Sequence, residues 1–159
     1  MLPSPNPDKT ATPQQLHEEW LHTLLNHTIV FYTDGSKLEN MSVGCGWTTF
    51  HCSDQQLYQH REGSCHLGNQ VEMYDTELHA IQEAVTSLLT TTTPWATAII
   101  CMDNRVALQT LQFNKHNHEY APQALETISL SLLGWTISTT RCPSHCNINN
   151  NEQADTLAK

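Results

Sequence analysis

Four carboxylates stand where a folded chain can use them. Asp34 closes the apolar run "TIVFYT" and is followed at once by Gly35, Ser36 and Lys37. Glu77 lies in the first turn of the helical stretch "YDTELHAIQEAVTSLL", Asp103 closes a second short apolar run, "ATAIICMD", and Asp155 lies in the terminal "NEQADTLAK". In open α/β sheets, functional groups gather beyond the C-terminal ends of the parallel strands. Asp34 and Asp103 therefore meet if their strands are neighbours. Packed carboxylates repel and raise one another's pKa unless a cation sits between them. The constellation predicts metal, and all-oxygen ligation favours Mg²⁺ or Mn²⁺ over Zn²⁺. Two such ions, about 3.5 to 4 Å apart, suit in-line phosphoryl displacement. A single Asp after a strand is more often a turn or cap residue; the four together say more.

The elements that must position these acids are legible from periodicity. Residues 1 to about 13 carry four prolines and little to bury, so they read as a disordered leader. A short amphipathic helix follows, with Leu16, Trp20, Leu21 and Leu24 on one stripe. "TIVFYT" suits a strand buried on both faces. "VGCGWTTFHC" and "QLYQHREG" read as a hairpin about a Ser53-Asp54 turn, and the next helix, N-capped by Asp75, buries Leu78, Ile81, Val85 and Leu88. The "ATAIICMD" strand leads to a helix in "NRVALQTLQ", a further helix from Pro122 to Leu133 stopped by Gly134, a strand in "WTISTT", and a last helix behind an Asn-rich loop. The order predicts an α/β fold with a mixed sheet of about five strands flanked by helices, in one domain over 28–159 preceded by a leader and short helix over 1–27.

Bulk properties narrow the setting. Lys and Arg total 7 against 16 for Asp and Glu, a formal net charge of −9, which argues against holding nucleic acid by the general field of the molecule. The six cysteines show no paired CxxC rhythm, the N-terminal prolines stand where a signal peptide needs an apolar core, and no apolar run reaches the roughly 20 residues of a membrane span. A soluble protein, intracellular in the cytoplasm or nucleus, with reduced thiols and no membrane partner is the expectation. The proline-rich start and abrupt finish suggest excision from a longer polyprotein.

"YTDGS", "TELHAI", "DN" after an apolar strand, and "PSHCNINNNEQADTLAK" resemble, in order and spacing, the ribonuclease H family, especially the domains attached to reverse transcriptases of retroelements. The resemblance covers Thr28 to Lys159. It implies an RNase H-like fold and an endonuclease that cuts the RNA strand of an RNA-DNA hybrid with two Mg²⁺ or Mn²⁺ ions. Asp34, Glu77, Asp103 and Asp155 match the family's metal-binding acids. His145 matches a mobile catalytic histidine that assists proton transfer or product departure. Gly35 and Ser36 match a stretch whose backbone approaches the RNA, and Asn104 matches a polar substrate contact. A polymerase domain in the same polyprotein is the implied partner.

Departures from the family pattern also matter. Arg141, Asn147 and Asn150 stand where relatives carry a tryptophan and two glycines; the asparagines tolerate left-handed backbone angles, whereas Arg141 does not replace the tryptophan's packing surface. The last helix extends only four residues past Asp155, so fraying and weakened metal binding are expected there. Lys37, Arg105 and Arg141 adjoin motifs and should cluster near the catalytic face. Alternatives remain: a catalytically weak or silent RNase H-like interaction domain, a zinc cluster involving Cys142, His145 and Cys146, and a proofreading-type exonuclease, which Ser36 argues against because those enzymes carry an acid there.

Overall fold

Thr28–Lys37 forms β1, the central strand of a five-stranded sheet in the computed structural model, which describes residues 11–40, 42–69, 73–88, 97–103, 136–142 and 148–159. Its neighbours are β2 (Val43–Ser53), β3 (Gln56–Gly68), β4 (Thr97–Met102) and β5 (Thr136–Arg141), in the order β3-β2-β1-β4-β5. The first three strands are antiparallel, and β4 and β5 run parallel to β1. The mixed α/β sheet expected from the sequence is thus present, with the strands of Asp34 and Asp103 side by side.

Alternation along β1 decides what each face packs against. Val30 and Tyr32 join a buried cluster with Phe50, Ile99, Cys101, Cys142, Ile148 and Ala154. That face carries α3 (Asn149–Ala158) and α1 (Pro13–Leu21), from which Trp20, with Leu24 just beyond, packs onto the cluster. Ile29 and Phe31 point the opposite way, toward α2 (Met73–Leu88), whose Leu78, Ile81 and Val85 are fully buried. Fully burying each such side chain contributes on the order of 1.5–3 kcal/mol. Thr12 caps α1 through a reciprocal pair with Gln15, and Pro13 opens the first turn, where its missing N–H costs nothing.

Several expectations need correction. Leu16 is 55% exposed and Leu24 lies past the helix end, so the predicted four-residue stripe reduces to its Trp20 side. The hairpin turn is Asp54-Gln55, with Ser53 the last residue of β2; both turn residues have positive φ, 51° and 63°, as a two-residue turn between twisted strands requires. Asp75 is the third residue of α2 and not its cap. Asn149, Asn150 and Asn151 belong to α3, so the Asn-rich loop is shorter than the sequence suggests, and Asn150 does not take the left-handed conformation expected of it. The helices predicted in "NRVALQTLQ" and at Pro122 to Leu133 lie outside the described residues.

Candidate active site

The opening acid does not end its strand. β1 continues past Asp34 to Lys37, with Asp34 opposite Gly46 and Lys37 opposite Val43 on β2. The other edge of β1 is what stops: β4 pairs with it only as far as Tyr32 opposite Cys101. Beyond that point the backbone of β1 borders the C-terminal end of β4, where Asp103 follows Met102. The Gly35 N–H, free of a ladder there, donates to Asp34 Oδ1 at 2.9 Å and to Glu77 Oε1 at 3.1 Å. One backbone amide thus ties together two carboxylates presented from opposite faces of the sheet.

Close approach makes this possible. A Cβ on Gly35 would lie 2.8 Å from Thr76 Cγ2 and 3.4 Å from Glu77 Oε1, so any larger residue would push the first turn of α2 away. On the other face, side chains at Gly44 or Gly46 would overlap backbone atoms of Ala154 and Ala158. Their absence seats α3 directly on β2 and brings Asp155 within hydrogen-bonding reach of Asp34. The fourth acid, Asp103, acts through its charge on Glu77. The structure therefore brings together all four sequence-predicted acids, from β1, α2, the end of β4 and α3.

Their electrostatics is that of crowded anions. Burial, then the hydrogen bond and charge of Asp155, push the Asp34 carboxyl up to about 7, against the opposing help of the Gly35 amide. Glu77 is 4% exposed, and burial followed by the charge of Asp34 holds its carboxyl well above the usual range. Its Oε2 is buried and has no hydrogen-bond partner among the described residues. A buried carboxylate oxygen left unsatisfied beside two further acids is costly unless something positive meets it. The donor set consists of carboxylate oxygens, so the residues present fit Mg²⁺ or Mn²⁺.

Basic residues also reach the cluster, and one was not anticipated. Lys159 Nζ bonds Asp155 Oδ2 at 2.8 Å, one helical turn along α3. Arg141, opposite Met102 across the β4–β5 ladder, places its guanidinium 3.8 Å from Asp103 Oδ1. The residue standing at the family's tryptophan position thus meets an acid of the site. The i,i+4 spacing of Asp155 and Lys159 was a readable signal for the first pair; nothing local announced the second.

Tyr32 was also missed. Its hydroxyl lies 2.6 Å from His17 Nε2 of α1 and within hydrogen-bonding reach of Asn150 of α3, two residues before Asp34 in the buried strand. Gly35 and Ser36 are both buried in β1. Cys142 sits in the core cluster, its N–H bonded to Met102 O at 2.9 Å. The predicted sites at Asn104 and His145, and with the latter the rest of the alternative zinc cluster, lie outside the described residues.

No protein-family model matches the chain, and no curated protein matches it by sequence. Solved structures do. It is similar to RNase H1 from the halophilic archaeon Halobacterium salinarum, with a TM-score of 0.65 and 20% identity over 82% of this chain and 94% of that one. It is similar to LC11-RNase H1, solved in complex with an RNA/DNA hybrid, with a TM-score of 0.66 and 18% identity over 82% and 93% of the two chains. A third likeness is to the foamy viral protease-reverse transcriptase solved with double-stranded DNA, with a TM-score of 0.61 and 23% identity over 82% and 90%. The mixed five-stranded sheet flanked by helices is the ribonuclease H fold.

Proposed function

We propose that this chain is a member of the ribonuclease H family that cleaves the RNA strand of RNA-DNA hybrids. The observation that carries the reading is the buried Oε2 of Glu77, without a hydrogen-bond partner among the described residues, within a cluster of four acids drawn from four elements. A fold used by many proteins does not by itself fix chemistry; a costly arrangement of anions at the C-terminal end of a parallel strand is what supports it. Asp34, Glu77, Asp103 and Asp155 would hold two Mg²⁺ or Mn²⁺ ions. Such ions supply an activated water and neutralise charge on the scissile phosphate.

The chain's own residues do the rest. The Gly35 amide fixes the orientations of Asp34 and Glu77 at once. Gly35 and Ser36, which follow Asp34 on β1, are assigned the stretch whose backbone approaches the RNA, and the 2′-hydroxyl is the group that separates RNA from DNA. His145 is assigned the proton transfer or product departure step, and Asn104 a substrate contact. In the neighbours, the RNA/DNA hybrid of one complex and the reverse transcriptase of another support a hybrid substrate and a polymerase partner.

A second reading is a weak or silent RNase H-like interaction domain. It rests on Arg141 and Lys159, which engage Asp103 and Asp155. Incubation with labelled RNA-DNA hybrid, RNA duplex and DNA duplex, in Mn²⁺, Mg²⁺ or chelator and beside Asp34→Asn, separates the two. Metal-dependent loss of RNA from the hybrid alone, abolished in Asp34→Asn, is the expected result. An intact hybrid under every condition decides for the second reading.

A further inference from the structure

One strand over from the acid cluster, on the face that carries α2, lies a second group of ionisable side chains with different chemistry. Cys45 on β2 is directly opposite Cys65 on β3, and His79 reaches them from α2. The two sulfurs and a ring nitrogen of His79 all lie within 4.8 Å of one another. Glu83, one turn further along α2, brings Oε1 to 3.3 Å from His79 Nε2, and its charge acts on both thiols.

We infer that Cys45, Cys65 and His79, with Glu83 as a fourth donor, form a binding site for a thiophilic divalent cation of the zinc class. Tetrahedral zinc, with Zn–S near 2.3 Å and Zn–N near 2.0–2.1 Å, sets its ligand atoms about 3.3 to 3.8 Å apart. The two sulfurs and the ring nitrogen, within 4.8 Å of one another, need to close by at most about 1 to 1.5 Å to meet that geometry, a movement within reach of small side-chain rotations. Two thiols and an imidazole select zinc-like ions and reject Mg²⁺, so this site and the carboxylate cluster do not compete for the same cation. The backbone prearranges it: strand register fixes the two cysteines, and the i,i+4 spacing puts His79 and Glu83 on one face of α2.

Burial, then the proximity of Cys65 and Glu83, pushes the Cys45 thiol up to about 12. Without a cation the two thiols hold their protons; binding one displaces them. The consequence is structural. A bound ion would clip the edge hairpin β2–β3 to the helix that presents Glu77, adding to the hydrogen bond that Arg61 of β3 donates to Ser87 O of α2. A disulfide is the competing use of two opposed cysteines, and both are free here.

The 159-residue chain, reduced and freed of metal, is to be titrated with Co²⁺ as an optical probe and then with Zn²⁺ as competitor. The expected result is one Co²⁺ per chain with intense thiolate-to-metal charge-transfer absorption, displaced by Zn²⁺. Cys65→Ser, on a partly exposed strand, should lose at least half of that absorption. His79→Gln should weaken binding by about tenfold or more, and Glu83→Gln by less. Asp34→Asn should leave the absorption intact, because carboxylates do not produce it. Absence of the charge-transfer band in folded wild-type protein overturns the proposal. So does its persistence in a Cys45→Ser, Cys65→Ser double variant, or a Cys45–Cys65 disulfide found by non-reducing peptide mapping of protein purified in reductant and alkylated.

Discussion

A single amide, that of Gly35, and a single oxygen, Oε2 of Glu77, carry most of the site's physics. Asp34 keeps its proton up to about pH 7 when folded, whereas an unfolded aspartate releases it near 3.8. Between those values the folded chain binds more protons than the unfolded one, so stability is greatest at the acid end of that window and falls as pH rises through it. Urea denaturation of metal-free protein should show this decline, and Mg²⁺ should flatten it by favouring the ionised cluster. Glu77→Gln removes a buried carboxyl that is costly to ionise and leaves the shape alone. It should stabilise the metal-free protein by about 1 kcal/mol, raising its melting temperature by roughly 2–4 °C, while lowering hybrid cleavage by about two orders of magnitude or more. A calorimetric scan beside the cleavage assay checks both; loss of stability would mean that the hydrogen bond from the Gly35 amide outweighs the repulsion from the neighbouring acids.

At the scale of elements, the site depends on how closely two helices approach the sheet. α3 rests on Gly44 and Gly46 without intervening side chains. Gly46→Ala inserts a methyl group into the backbone of α3 and should cost about 1–3 kcal/mol. It should also raise the Mg²⁺ concentration needed for activity, because Asp155 moves with its helix. Tyr32→Phe removes the hydroxyl shared by His17 and Asn150, and about 1–2 kcal/mol of stability should go with it as both polar partners lose their buried contact. The Lys159–Asp155 pair, by contrast, joins an exposed lysine to the end of a helix. Exposed pairs are screened by water and contribute little, so Lys159→Ala should leave the Mg²⁺ requirement within a few-fold of wild type.

For the whole molecule, charge sets the limits. Two divalent ions bring the formal −9 to about −5, which still disfavours a polyanion at long range. Arg141 and Lys159 place local positive charge at the acids, where contact counts, but cannot steer a hybrid from a distance. The isolated chain should therefore bind hybrid weakly, with affinity supplied by an attached polymerase or other partner. Filter binding of the hybrid in chelator at moderate salt tests this, since tight metal-independent retention would contradict it.

Elements and acids were readable because local pattern encodes them: the apolar run at Thr28, the helical spacing of Leu78, Ile81 and Val85, and the acids placed beside each. A mixed sheet followed from their order, and a catalytic reading from four carboxylates whose mutual repulsion calls for a cation. What folding alone decided involves pairs remote in the chain. The end of the β1–β4 ladder at Cys101 frees the Gly35 amide for Glu77, α3 is admitted by two glycines on β2, Arg141 meets Asp103 across a ladder, and strand register sets Cys45 against Cys65. Periodicity reports which face a residue takes within its own element; which distant residue then faces it is fixed only when the elements pack.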